Sequence, residues 1–255
     1  MKTYARNFLW RLWVPLILIA LWQILLRNST NPYFPTPSQI LADTKYVITP
    51  DWIMTSLKSS ALTFLVGYTL GSIGGILLGA VIGASEILRE ILTPITNFIR
   101  SIPSVAKVPV IMAMLGIGQA TRIATVAIAV LFPMLMTTTR AIATTDANTL
   151  DMANLLGFGR IRTLFEVRLP AATGEILTGL QAAVQIGILV MVISEMLGSG
   201  IGLGAFIIHS QSTFMIADMW VGIFILGVIG LLLNELFLFA ERKIAPWYFR
   251  SKGLI

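Results

Sequence analysis

The 255 residues are 56% hydrophobic and only 12% charged, with a mean hydropathy of +0.85. About a quarter of residues are charged in a water-soluble domain, so both an ordinary cytosolic globule and a disordered chain are excluded. There is no cysteine and one histidine, His209, which excludes disulfides, thiolate chemistry and a His-rich metal site; the net charge of +6 points to nucleic acid only if the chain is soluble.

A helix needs roughly 20 apolar residues to cross the hydrocarbon core. Six stretches are predicted to do so, at about 12–26, 59–85, 101–121, 123–139, 174–195 and 219–240, making an all-α polytopic membrane protein with one transmembrane domain over 1–255. The first carries Trp13 and Trp22 near its ends, where indoles favour the interface, and no small-residue cleavage site follows Leu26, so it reads as a retained anchor. The segment 28–58 holds Pro32, Pro35, Pro37 and Pro50 and reads as a polar external loop with little helix at its start. The third stretch is the weakest, interrupted by Pro103, Lys107 and Pro109, and Pro133 should kink the fourth. The segment 140–170 is the longest charged one and reads as helical structure outside the bilayer. The uncharged, glycine-rich segment 196–217 reads as a re-entrant or surface element rather than a seventh span.

Six spans sort the basic residues onto two faces. One receives Lys2, Arg6, Arg11, Arg89, Arg100, Lys107, Arg140, Arg160, Arg162, Arg168, Arg242, Lys243, Arg250 and Lys252, and the other only Arg27, Lys45, Lys58 and Arg122. Fourteen against four follows the positive-inside rule, with both termini cytoplasmic. The charge then needs no nucleic acid.

In the second span Gly67, Gly71, Gly75, Gly79 and Gly83 recur every fourth residue. Residues at i and i+4 share a helix face, so these form a smooth stripe for close helix packing, or a surface along which helices slide. Farther on, Asp151-Met152-Ala153-Asn154-Leu155-Leu156-Gly157 reads as a short helix from about Thr149, capped by Thr149 or Asn148 and ended by Gly157 in a left-handed conformation. Pro170 is placed in the first turn of the next helix. Local physics alone leaves this a structured loop.

The spacing of that loop resembles the coupling loop of ABC-importer membrane subunits, whose pattern is E-A-A, three residues, Gly, nine residues, Ile, any residue, Leu-Pro. Asp151, Ala153, Gly157, Val167, Leu169 and Pro170 fall at those positions, with Asp for Glu, Met152 for the first Ala and Val for Ile. Phe34-Pro35-Thr36-Pro37-Ser38, Arg100-Ser101-Ile102-Pro103 and Ser194-Glu195-Met196-Leu197 are similar to stretches of the nitrate, sulfonate and taurine permease branch. The resemblance implies a type I ABC importer permease fold in a bacterial inner membrane. It also implies a second permease copy as homodimer partner, a cytoplasmic ATPase dimer that carries ATP and Mg, and an extracytoplasmic solute-binding protein. Leu150, Asp151, Ala153, Gly157, Leu169 and Pro170 would then couple to the ATPase, Leu150 and Leu155 offering apolar contact. No G-x-x-x-x-G-K-[ST] run occurs, so no cofactor is expected on this chain itself.

Other candidates remain. Gly200-Ile201-Gly202-Leu203-Gly204-Ala205 fits G-x-G-x-x-A but lacks the strand and acid of a dinucleotide site. Glu195, at the end of the fifth span, either sits hydrated at the interface or faces the pathway as a gate or helix-pairing group. Gln181 and Gln185, one turn apart, either bond other helices or line a passage. Arg100 supplies positive charge either to an anion pathway or to the positive-inside face, and Glu235 pairs within the bundle or with a cytoplasmic base. An integral-membrane enzyme would need a facing cluster of His, Asp, Glu or Ser, and none is evident; a secondary carrier would need ion-coupling groups and no docking loop.

Overall fold

The computed structural model describes residues 2–29, 31–198, 200–244 and 246, with side chains from Trp13 onward except those of Arg242 and Ile244. The side chains of Lys2, Arg6, Arg11 and Arg242, and the residues Arg250 and Lys252, therefore lie outside the described part. The described elements are helical: α1 (Lys2–Leu26), α2 (Pro37–Val47), α3 (Pro50–Ala84), α4 (Glu86–Ser101), a 3-10 turn (Ser104–Lys107), α5 (Val108–Leu115), α6 (Gln119–Ala143), α7 (Ala147–Leu155), α8 (Arg160–Leu197), α9 (Leu203–Ser212) and α10 (Ile216–Ile244).

Four helices are long and apolar enough to cross a membrane: α3, α6, α8 and α10 over Ile216–Glu241. They contain the stretches expected at 123–139, 174–195 and 219–240 and all but the last residue of 59–85, since Ser85 is the extended N-cap of α4. The stretch expected at 101–121 is not one helix. α4 begins earlier, at Glu86, and the chain then turns through 88° into the helix that ends at Leu115. Pro103 explains the break, because it disfavours helical backbone in the residue before it, and Ile102 is extended at φ −79°, ψ 119°. Counted as one span, the bent pair makes five, and the apolar part of α1 described with side chains, Trp13–Leu26, is shorter.

The prolines of the first loop turn out to be helix starters. Pro37 and Pro50 stand at the N-termini of α2 and α3, behind the N-caps Thr36 and Thr49. Thr36 and Gln39 form a capping box, with Gln39 Oε1 accepting from the Thr36 N–H at 2.8 Å. The α3 helix thus starts nine residues before the expected span. Pro170 stands in the first turn of the α-helix Leu169–Leu197, as expected, and a π-turn at Leu164–Arg168 joins that helix to the turn at Arg160, so that α8 runs on from there. The Leu169 N–H bonds the Leu164 carbonyl there, which places the residue lacking a donor just past the widened turn.

The glycine stripe sets the central seam. Gly67 faces Val126, Gly75 faces Met134 and Gly83 faces Ile142, so α3 and α6 run parallel. A Cβ at Gly75 would lie 2.6 Å from the Met134 Cβ and 2.7 Å from the Leu131 carbonyl oxygen. Only glycine permits this approach, and α3 against α6 is the most extensive helix contact. Parallel packing also requires the chain between them to return to its starting end, which α4 and α5 accomplish. Contacts of Gly179 with Thr137 and Gly187 with Val130 make α8 antiparallel to α6. The main core lies along this seam: Phe64, Val126, Val130, Met134, Ala183, Val184 and Met191. Outward faces carry exposed Leu65, Ile73, Leu77, Leu231 and Leu232, as expected where the solvent is lipid.

Candidate functional site

Two ends of the bundle hold the polar residues. At one end lies α7. Asp146 accepts from the Thr149 N–H at 3.0 Å and is the N-cap, so the helix starts at Ala147 and the cap expected at Thr149 or Asn148 is displaced. Gly157 has φ +74°, and the Phe158 N–H bonds the Ala153 carbonyl at 3.0 Å, closing the helix as a left-handed glycine cap does. Leu155 is 87% exposed, and Met152, Leu156, Ile161 and Phe165 are exposed beside it. Ala153 faces inward at 3% exposed. Leu150 and Asp151 line a groove of about 800 Å3 with Glu86, Arg160 and Arg168. Leu169 and Pro170 lie a turn along α8, beside Phe165. Arg162 is held outside by Glu166 at 3.0 Å and lies 4.0 Å from the Phe158 ring centroid.

From this Gly157 end a cavity of about 1040 Å3 runs between α4, α6 and α8. Thr93, Asn97 and Arg100 face it from α4, Thr137 and Arg140 from α6, Glu175 and Thr178 from α8. Its far limit is Pro133 and Ile186. Arg100 therefore lines a passage, together with Arg140, which sequence reasoning counted only as a surface charge. Lys107 does not line it; its ammonium rests 5.0 Å from the Phe132 ring centroid. Gln181 donates to Asn234 of α10 at 3.1 Å and so joins two helices, whereas Gln185 is exposed and is not among the cavity residues. Glu235 is exposed, with no ion pair among the described residues, and the side chain of Arg242, a base expected on the cytoplasmic face, lies outside them.

At the opposite end Glu195 is 1% exposed, so the hydrated position is ruled out. Ser60 Oγ lies 2.8 Å from both carboxylate oxygens, and the Gly204 N–H donates to Oε2 at 3.0 Å. The Leu203 N–H donates to Ser60 Oγ at 2.8 Å. Arg122 was expected on the surface and is buried instead, at 4% exposed; its Nη1 is 3.8 Å from Glu195 Oε1 and donates to the Ile201 carbonyl at 2.8 Å and to Ser59 at 3.2 Å. The glycines of the false dinucleotide pattern serve this cluster. Gly202, at φ +117°, leaves room that a Cβ would take from the Glu195 carboxylate, and a Cβ on Gly204 would strike the Val192 carbonyl. Sequence reasoning missed Ser60 and Arg122; the signal was two serines and an arginine at the starts of otherwise apolar helices. His209 is exposed nearby.

A family model described as the binding-protein-dependent transport system inner membrane component matches residues 71–250. The chain belongs to this family. It is 27% identical over 239 residues to a nitrate import permease protein of Synechocystis, a match covering 90% of this chain and 86% of that one. It is 28% identical over 236 residues to a putative aliphatic sulfonates transport permease protein of Bacillus subtilis, covering 92% and 86%. With the taurine transport system permease protein of Escherichia coli the identity is 27% over 266 residues, covering 97% and 96%. The chain is accordingly the membrane subunit of an ABC importer and not a stand-alone carrier, a multi-pass inner-membrane protein of a family whose systems depend on a binding protein.

Proposed function

We propose that this permease moves a small anion, of the size of nitrate, a sulfonate or taurine, through the cavity between α4, α6 and α8. The observation that carries this reading is the presence of two arginines, Arg100 and Arg140, against one carboxylate, Glu175, among hydroxyl and amide side chains in one wide, helix-lined space. Arginine offers fixed donors to an oxyanion, and hydroxyls complete the coordination without trapping it. The names of the relatives, which include nitrate, sulfonates and taurine, support the same class. The chain acts as one domain over 1–255 with six crossings, α1 and the bent α4–α5 pair being the two beyond the four long helices. Arg160, Arg162 and Arg168 at the Gly157 end support a cytoplasmic position for it, with both termini on that side. Two copies form the pathway within the lipid, α7 with Gly157 and Asp151 docks on an ATPase dimer that carries ATP and Mg, and this chain binds neither.

Uptake by the purified importer, reconstituted with its ATPase and binding protein, tests this. Nitrate, taurine and an alkanesulfonate are offered in turn. Arg100→Gln and Arg140→Gln should each lower the uptake of the accepted anion roughly tenfold, the loss of one charge-assisted contact. Uptake confined to solutes that carry no oxyanion group, or untouched by both changes, would sink the anion pathway.

A further inference from the structure

The faces that line the cavity can be followed beyond it. On α6 the row Arg140, Thr137 and Pro133 continues through Ala129 and Val126 to Arg122, at spacings of three and four residues. On α8 the row Ala182 and Ile186 continues through Val190 to Ser194 and Gly198. Ala129, Val126 and Val190 are buried, and beyond them Arg122, Ser194 and Gly198 enclose a void of only about 10 Å3 against α5. The space between α6 and α8 thus falls from about 1040 Å3, where α4 is the third wall, to a void too small for any solute, where α5 takes that place. Resting on the pathway reading above, we propose that Arg122, Glu195 and Ser60 form a clasp that shuts the outer end of the pathway and parts whenever the permease opens outward.

The chemistry suits a contact that must open. A buried ion pair holds a fold no better than apolar residues of the same volume, so stability alone does not call for one. Its two halves are well solvated once water reaches them, whereas a parted apolar seal leaves its surfaces in water. The clasp also has a moving part. Glu195 accepts from the N-terminal turn of α9, through Gly204, and Ser60 accepts from Leu203, so α9 is held by its first residues. Gly198, Gly200 and Gly202 stand in the connection from α8 to α9, and Gly200 and Gly202 have φ +65° and +117°. A connection so rich in glycine changes conformation at low cost, which lets Ile201 and the first turn of α9 part from Arg122 and from Ser60 of α3. Arg122 is half engaged already: Nη1 bonds Ile201 and Ser59 beside Glu195, while Nε has no hydrogen-bond partner among the described residues.

The chain has no cysteine, so single and paired cysteines report without background. Ser194→Cys reports on the clasp and Thr178→Cys on the cavity, each in the complete importer in nanodiscs, with a water-soluble maleimide as probe. At rest position 178 should label and position 194 should not. With binding protein, ATP and vanadate holding the ATPases closed, labelling at 194 should rise on the order of tenfold or more, while labelling at 178 falls. A change at 178 with none at 194 overturns the clasp and leaves the pathway standing; no change at 178 overturns the pathway reading. The pair Ser60→Cys and Leu203→Cys supplies the second measurement. Oxidation should abolish whatever uptake the same pair shows under reductant, and the rise at 194 in a companion carrying Ser194→Cys should vanish. Full uptake by the oxidised, cross-linked pair also overturns the proposal.

Discussion

One ion pair is kept dry at the Glu195 end of the molecule and another is wet at the Gly157 end. Arg122 and Glu195 are sealed among four chain segments, and each depends on the other for its place. Arg162 and Glu166 form the closer pair, at 3.0 Å against 3.8 Å, yet both are more than half exposed. Distance therefore ranks these two pairs wrongly. What a pair does depends on the water around it: the buried one fixes how helices meet, and the exposed one contributes a few tenths of a kcal/mol.

The comparison breaks most readily at the buried pair. Arg122→Ala should leave Glu195 charged and unpaired at a cost of about 3–5 kcal/mol. In detergent, the purified variant should lose its monodisperse elution peak at a temperature far below that of the unaltered protein. A double change of Arg122→Met with Glu195→Leu should recover most of that loss, and a double variant no better than the single one would deny the coupling. Next in size is the glycine seam that joins both ends. Gly75→Leu should force α3 from α6, costing on the order of 1–3 kcal/mol or more, and Gly75→Ala should cost less. Normal expression and transport with leucine there would remove the packing role of the stripe.

At the wet end the expected effects on stability shrink while those on function persist. Gly157→Arg puts an ordinary residue at φ +74° for about 1–2 kcal/mol, and transport should stop with the permease still in the membrane. Gly157→Asn, which tolerates that backbone, separates the two effects: ATP-driven uptake should be partly retained. Equal uptake by the arginine variant would argue against a docking role for α7. Smallest of all, Arg162→Ala should shift the unfolding temperature by a degree or less, the worth of an exposed pair of about 0.2–0.5 kcal/mol.

How far the chain could be read in advance differs between these same regions. The helical bundle and the close approach along Gly67 to Gly83 were legible, because spacing of four on a helix is a local property. The loop from Asp151 to Pro170 was legible as a pattern, although its cap was misplaced and the π-turn that joins Pro170 to the preceding helix was not foreseen. Asp146 captured the cap because its carboxylate reaches the Thr149 N–H, and Pro170 lies inside α8 because a π-turn widens the helix just before it. The third span could be flagged by Pro103 and Lys107, but an 88° bend at Ile102 and Pro103 was not readable from hydropathy.

By itself, the sequence determined the solvent, through its scarcity of charge, and the helical class, since backbone groups in lipid must bond within their own segment. It also determined which face of α3 could come closest to a neighbour. Tertiary structure alone decided which charges meet. Arg122 and Glu195 are 73 positions apart, and Arg100 and Arg140 are 40 apart. No periodicity spans such intervals, so only the parallel docking of α3 on α6, and the return of α8 against both, settled that one arginine is buried in an ion pair and the other two share an open cavity.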